Sequence, residues 1–427
     1  MFSNQEGKRK KCYNMKKFYF YSHNKVKHPV LLVSFLTLII AVWFSVFIGH
    51  SNSVIFPIWV LWSGYILLST NTLNKNEQTF VKTSVLFLVF EMFYLVIGYS
   101  SMGVELIVQE INWIMSGIVA VYALSFFSGR ELTVAYKTMA LALFVLLVIF
   151  LTIGRSMMTL YDQDTAAATA NAWYGSVYML VSGLSLVFFL NVKSFWSRLI
   201  SILLLALTLY FNFFVMQRGT NVIFTVVEIG MILVFTIKRK PVIILLSIVF
   251  GLFVFFALNT DFLIDLFTWL SNRIPSERLS RRFNDIAIAL AYSDIEATDG
   301  SFQARSVLMN NSWNSFTSSV GHFLFGVGEH KGSNSIIGHH SFFLDTLARY
   351  GIIGGAIVFV YFKKQYQIIM SELDKKLDWA LYMQCAVIFL IYVLRNFYGQ
   401  VAYALVNFLL LFFFPLTFQI IRYYKRN

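Results

Sequence analysis

The sequence predicts an all-α integral membrane protein of about twelve transmembrane helices, interrupted by one long loop that carries short amphipathic helices. Three observations lead there. The chain has 427 residues, of which 58% are hydrophobic and only 13% charged, about half the charged share of a soluble domain. Aromatic residues make up 18%, with 45 Phe. So little polar surface cannot cover so many apolar side chains, and lipid must be the solvent over most of the protein. The apolar residues also fall into runs near the length of a spanning helix, roughly 20 residues.

Those runs lie at 30–48, 54–68, 82–98, 111–127, 138–153, 172–190, 199–216, 221–237, 241–258, 342–362, 379–394 and 401–421. The first starts too late and runs too long for a cleaved signal peptide, and no small-residue cleavage site follows it. The net charge of +13 points to topology and not to nucleic acid, because Lys and Arg sit in short connectors. With the N-terminus cytoplasmic and the sides alternating, 24 of the 34 Lys and Arg fall inside. Slipping by one span would spoil that separation, so both termini are expected in the cytoplasm. Cys12 and Cys385 then fall in different compartments, and no disulfide is expected.

The chain divides accordingly. Residues 1–29 form a basic cytoplasmic segment, 30–258 the first nine spans, 259–341 a long outer loop, 342–421 three more spans and 422–427 a cytoplasmic tail. Within the loop, Leu263, Leu266, Phe267 and Leu270 recur at helical spacing, as expected of a helix on the membrane surface. Leu279, Phe283, Ile286 and Leu290 make a second stripe. Arg305, Met309, Trp313 and Phe316 make a third, after the start signal Asp299-Gly300-Ser301. Arg273, Arg278, Arg281 and Arg282 form a basic cluster suited to phosphate, to acidic glycan or to lipid headgroups.

Functional groups gather on the outer side. Gln217-Arg218-Gly219-Thr220 is a very short connector. Arg305 lies in the loop, which ends in Phe325-Gly326-Val327-Gly328 and then His339-His340-Ser341. Gly351-Ile352-Ile353-Gly354 follows inside the next apolar run. In order and spacing these motifs resemble the O-antigen polymerase and O-antigen ligase superfamily of polytopic membrane proteins. That family has an Arg-Gly after a span, an Arg and a Trp in the loop (here Arg305 and Trp313), a Gly-x-Gly, a His at the loop's end and a Gly-Ile-Ile-Gly. Ser341 stands where many members have Asn. The close resemblance covers roughly 305–355 and 217–220.

The resemblance implies a GT-C-like glycosyltransferase in a bacterial cytoplasmic membrane. Its substrate would be an oligosaccharide on undecaprenyl pyrophosphate, and neither metal nor cofactor is implied. It also implies a chain-length regulator and a flippase as pathway partners. A polymerase would join one lipid-linked repeat to the next, for O-antigen, capsule or exopolysaccharide; a ligase would use a different acceptor.

The residues fit this chemistry by their own properties. Arg stays charged and pairs two phosphate oxygens with its planar fork, so Arg218 and Arg305 are the expected pyrophosphate ligands. His titrates near neutral pH and suits a hydroxyl nucleophile, which makes His340 the expected catalytic residue. Arg155, Arg395 and His339 are secondary candidates. Each also has a plainer reading: Arg218 as a headgroup anchor, Arg305 as an ion-pair partner of Asp299, His340 as a helix cap, the glycines as turn residues. Asp345 and Arg349, four apart, read as a helical ion pair. His322, Glu329, His330, His339 and His340 lack the spacing of a metal site. Glu91 and Glu228, inside apolar runs, favour a transporter such as a lipid-linked oligosaccharide flippase. Against that stand the asymmetric layout and the clustering of groups at the outer face.

Overall fold

The computed structural model describes residues 27–44, 51–68, 73–98, 104–127, 129–152, 166–216, 219–236, 260–274, 277–292, 301–328, 337–338, 341–371, 373, 378–396 and 404–426. Among them there is no strand. The protein is an all-α membrane protein. Among the described residues, three helical stretches are long and apolar enough to cross a membrane: Gly129–Ile149, Phe195–Phe213 and Phe342–Ser371. Shorter apolar helices accompany them.

The helices are α1 (Pro29–Trp43), α2 (Ser51–Leu68), α3 (Lys75–Gly98), α4 (Val104–Phe126), α5 (Gly129–Thr152), α6 (Ala166–Asn191), α7 (Phe195–Tyr210) with a π-helical turn Phe211–Met216, and α8 (Gly219–Thr236). Then come α9 (Thr260–Arg273), α10 (Glu277–Tyr292), α11 (Ser301–Thr317), the short α12 (Val320–Phe325), α13 (Phe342–Ser371) and α14 (Trp379–Arg395). The last pieces are α15 (Ala404–Phe408), a second π-helical turn Leu409–Phe413, and α16 (Phe414–Arg426). Eleven of the twelve apolar runs coincide with helices; the run 241–258 lies outside the described residues. The three amphipathic stripes are α9, α10 and α11.

Local chemistry sets several helix starts. Asn74 Oδ1 accepts from the backbone N–H of Asn76 (2.9 Å) and Glu77 (3.0 Å), while Glu77 Oε2 accepts from Asn74 N–H (2.7 Å). This reciprocal cap satisfies donors that the first turn of α3 would otherwise leave bare. The two residues just before α1 find their acceptor far along the chain. Glu131 Oε1, in the first turn of α5, takes the N–H of Lys27 (2.8 Å) and of His28 (2.6 Å).

The core is aromatic and joins distant parts of the chain. Phe35 of α1 packs edge-on against Trp62, Phe127 and Phe408. Trp113 of α4 meets Phe87, Phe342 and Tyr361 at steep angles, the geometry that ring quadrupoles favour. Asn407 stitches this core with polar bonds. It donates to Tyr361 Oη (3.1 Å) and to the Trp113 carbonyl, and accepts from Gln365 Nε2 (2.6 Å).

Candidate functional site

Of the candidate residues, Arg155, Arg218, His339 and His340 lie outside the described residues. Arg305 is in the first half of α11, and nothing is described of its side chain. Arg395 ends α14 and is buried, with Nε donating to Asn221 Oδ1 at 2.9 Å. Three neighbourhoods emerge from these positions.

The first surrounds the segment that carries His339 and His340. Gly338 N–H donates to Ser312 Oγ of α11 (2.9 Å), and Ser312 Oγ donates to Asp345 Oδ1 (2.6 Å). Asp345 Oδ2 accepts from Ser341 N–H (3.0 Å). The residues on either side of the His-His pair are thus tied to α11 and α13 through one buried Ser-Asp bridge. Gly338 must be glycine, since a Cβ there would overlap the backbone carbonyl of Leu308. Arg305 stands three residues before Leu308 and seven before Ser312, in one helical register. The fold therefore brings α11, one and two turns beyond Arg305, against Gly338.

The second neighbourhood explains the glycine motifs. Val327 N–H donates to the Ala348 carbonyl (2.8 Å) and Gly328 N–H to the Arg349 carbonyl (3.1 Å). Gly351 breaks α13 with φ +66°, and Gly326 and Gly328 are also left-handed at +76° and +72°. A Cβ on Gly326 would overlap the Arg349 carbonyl; one on Gly351 would overlap that of Leu324. Backbone lies on backbone here, which only residues without a side chain permit. Beneath the contact, Arg349 Nη1 pairs with Glu110 of α4. Tyr350 Oη lies 2.7 Å from Glu91 Oε2 and 3.0 Å from Glu110 Oε2, and Tyr94 Oη donates to the Phe325 carbonyl. Asp345 bonds to Ser312 and Ser341, and Arg349 pairs with Glu110. Glu91, Glu110, Arg349 and Tyr350 are all buried. Glu110 lies just before an apolar run and drew no notice in the sequence; its partner is 239 residues away.

The third neighbourhood lies around Arg395. Asn221, Thr225 and Glu228 follow one another at i, i+4 and i+7 on one face of α8, all fully buried. Asn212, in the π-helical turn, reaches Thr225 Oγ1 at 3.4 Å. Asn396 donates to the Tyr392 carbonyl (2.7 Å). Glu228 packs onto Gly183 of α6, where a Cβ would come within 2.6 Å of its carboxyl carbon. Neither Glu228 oxygen has a partner among the described residues, and the same holds for Asn221 Nδ2, Asn212 Oδ1 and Asn396 Oδ1. Unsatisfied polar groups in an apolar interior each cost on the order of 1–3 kcal/mol, so a row of them marks a region built for something other than packing. Arg218 is three residues before Asn221.

Among the described residues no cluster of three or more His, Cys, Asp or Glu is placed to hold a metal ion. A groove lined by Pro29, Val30, Val33, Ser34, Thr37 and Ile58 is almost wholly apolar and includes none of these groups. No protein-family model matches the chain, and no curated protein matches it.

Proposed function

We propose that this protein is a polymerase of lipid-linked polysaccharide repeats, acting at the outer face of a bacterial cytoplasmic membrane. In this reading the chain crosses the membrane twelve times with both termini inside, and residues 259–341 are the outer loop. One observation carries most weight: the bridge Gly338–Ser312–Asp345–Ser341 draws together the helix of Arg305 and the flanks of His340. A cation and a base at one place are what transfer from a pyrophosphate donor needs.

The step is a displacement at the anomeric carbon. The acceptor hydroxyl oxygen forms the new glycosidic bond, and the bond from the anomeric carbon to the pyrophosphate oxygen breaks. His340 takes the hydroxyl proton. Arg218 and Arg305 stabilise the charge that develops on the departing polyprenyl pyrophosphate. Arg395, already fixed by Asn221 beside the Arg218 connector, joins them as a third cation.

The test is deletion of the gene in its host, with complementation by wild type or His340→Ala. Surface glycan and lipid-linked glycan are resolved on gels, and a blot checks that the variant reaches the membrane. Single repeats in place of long chains, in both deletion and variant, support polymerisation at His340. Long chains retained on the lipid carrier make the protein a ligase. Normal chains from His340→Ala remove His340 from the site. Glu228, buried in an apolar helix without a partner among the described residues, favours the transporter reading, and loss of outward transfer of single repeats in the deletion would establish it.

A further inference from the structure

Helices α9 and α10 form a hairpin. They pack on each other through Phe267 and Phe283, whose rings stack at 5.9 Å and 18°, and through Ser271 Oγ and Ser280 Oγ at 3.2 Å. What this pairing leaves outward is unusual for a water-facing hairpin. On α9, Phe262, Leu266, Trp269 and Arg273 recur at i, i+4, i+7 and i+11; Phe262 is 48% exposed and Trp269 53%. The Arg273 guanidinium lies 5.4 Å from the Trp269 ring. On α10, the outward residues are polar: Glu277, Arg281 and Asn284 are exposed. The end of α9 and the first turns of α10 carry Arg273, Arg278, Arg281 and Arg282 within ten residues, against the single acid Glu277. That acid is spent on Arg281, at 2.5 Å.

We infer that the α9–α10 hairpin lies in the headgroup layer and docks on anionic phospholipid through its arginine tip. Three features argue for lipid as the occupant. In sequence the hairpin follows an apolar run at once, since Thr260 comes two residues after 241–258. An exposed Trp and Phe on one stripe match the depth at which amphipathic rings reside. The tip's excess of positive charge complements lipid phosphate, since basic residues beside a membrane are drawn to anionic surfaces. This inference rests on the membrane reading alone and is independent of the proposed polymerase activity.

The test uses full-length protein carrying Cys12→Ser and Trp269→Cys, labelled with an environment-sensitive fluorophore. Cys385 stays, because it is buried. The protein is reconstituted into vesicles of phosphatidylglycerol or of phosphatidylcholine, each with a trace of nitroxide-labelled lipid. The expected result is a blue-shifted label, quenched at least threefold more in phosphatidylglycerol. Arg278→Gln with Arg282→Gln should bring the two vesicles to equal quenching while the protein remains monodisperse. A water-like, unquenched label in both vesicles overturns the inference. Equal quenching of the unsubstituted tip in both lipids overturns the anionic selectivity. If soluble acidic polysaccharide displaces the label from lipid, the tip serves glycan instead.

Discussion

Two buried polar regions of this protein solve the same problem in opposite ways. Around Arg349, charge meets charge: Glu110 takes the guanidinium, Tyr350 bridges Glu91 and Glu110, and Gly326 and Gly328 close the backbone above. Around Glu228, polar groups align on one face of α8, yet several atoms meet no partner among the described residues. The first arrangement is a fastener between helices that are remote in sequence. The second retains polar capacity that packing does not consume. Removing a group from the first should cost stability, and removing one from the second should cost activity.

The sharpest way to break this comparison is Arg349→Ala. It strands Glu110 in the interior, and breaking a buried pair costs about 3–5 kcal/mol. Thermal unfolding in detergent should show loss of most folded protein; an unchanged midpoint would mean the pair is idle. Next comes Gly326→Ala, which forces a Cβ against the Arg349 carbonyl in a left-handed backbone, at a cost of about 1–3 kcal/mol from strain alone. In the second region, Gly183→Ala should destabilise by about 1–3 kcal/mol by crowding the Glu228 carboxyl. Adding Glu228→Ala should recover most of that loss, a non-additivity that a double-mutant cycle reads directly. Arg218→Lys, three residues before Asn221 in the sequence, should leave folding intact and remove most of the proposed polymerisation, since a point charge cannot replace the planar fork. The smallest effect belongs to Arg281→Gln. Its pair with Glu277 is largely exposed, and such pairs contribute under about 1 kcal/mol.

Hydropathy made the helices legible, because every backbone group in lipid must be satisfied within its own segment. The amphipathic stripes of α9, α10 and α11 were equally open to reading from their period. The glycine motifs were visible, but their purpose was not. Nothing in Gly326-Val327-Gly328 says that it will lie against Gly351, because that contact is between backbones and leaves no complementary side-chain signature. Arg349 was read with Asp345, four residues away, since local spacing is all that a sequence displays. Its described ion pair is with Glu110, from another helix. Gly183 and Glu228 are likewise 45 residues apart, and only packing of α6 on α8 joins them. Among the candidate residues, Arg395 gained a fixed neighbour in Asn221, while Arg155, Arg218, His339 and His340 lie outside the described residues.

The bonds that Glu131 accepts from Lys27 and His28 also impose an order on biogenesis. The acceptor is encoded 104 residues after the first donor. At roughly 5–20 residues per second of synthesis, the start of α1 waits about 5–20 s before its acceptor exists. Over that interval water or the insertion machinery must stand in for Glu131. The first helix is thus made before the partner of its N-terminal flank, and the fifth helix supplies it.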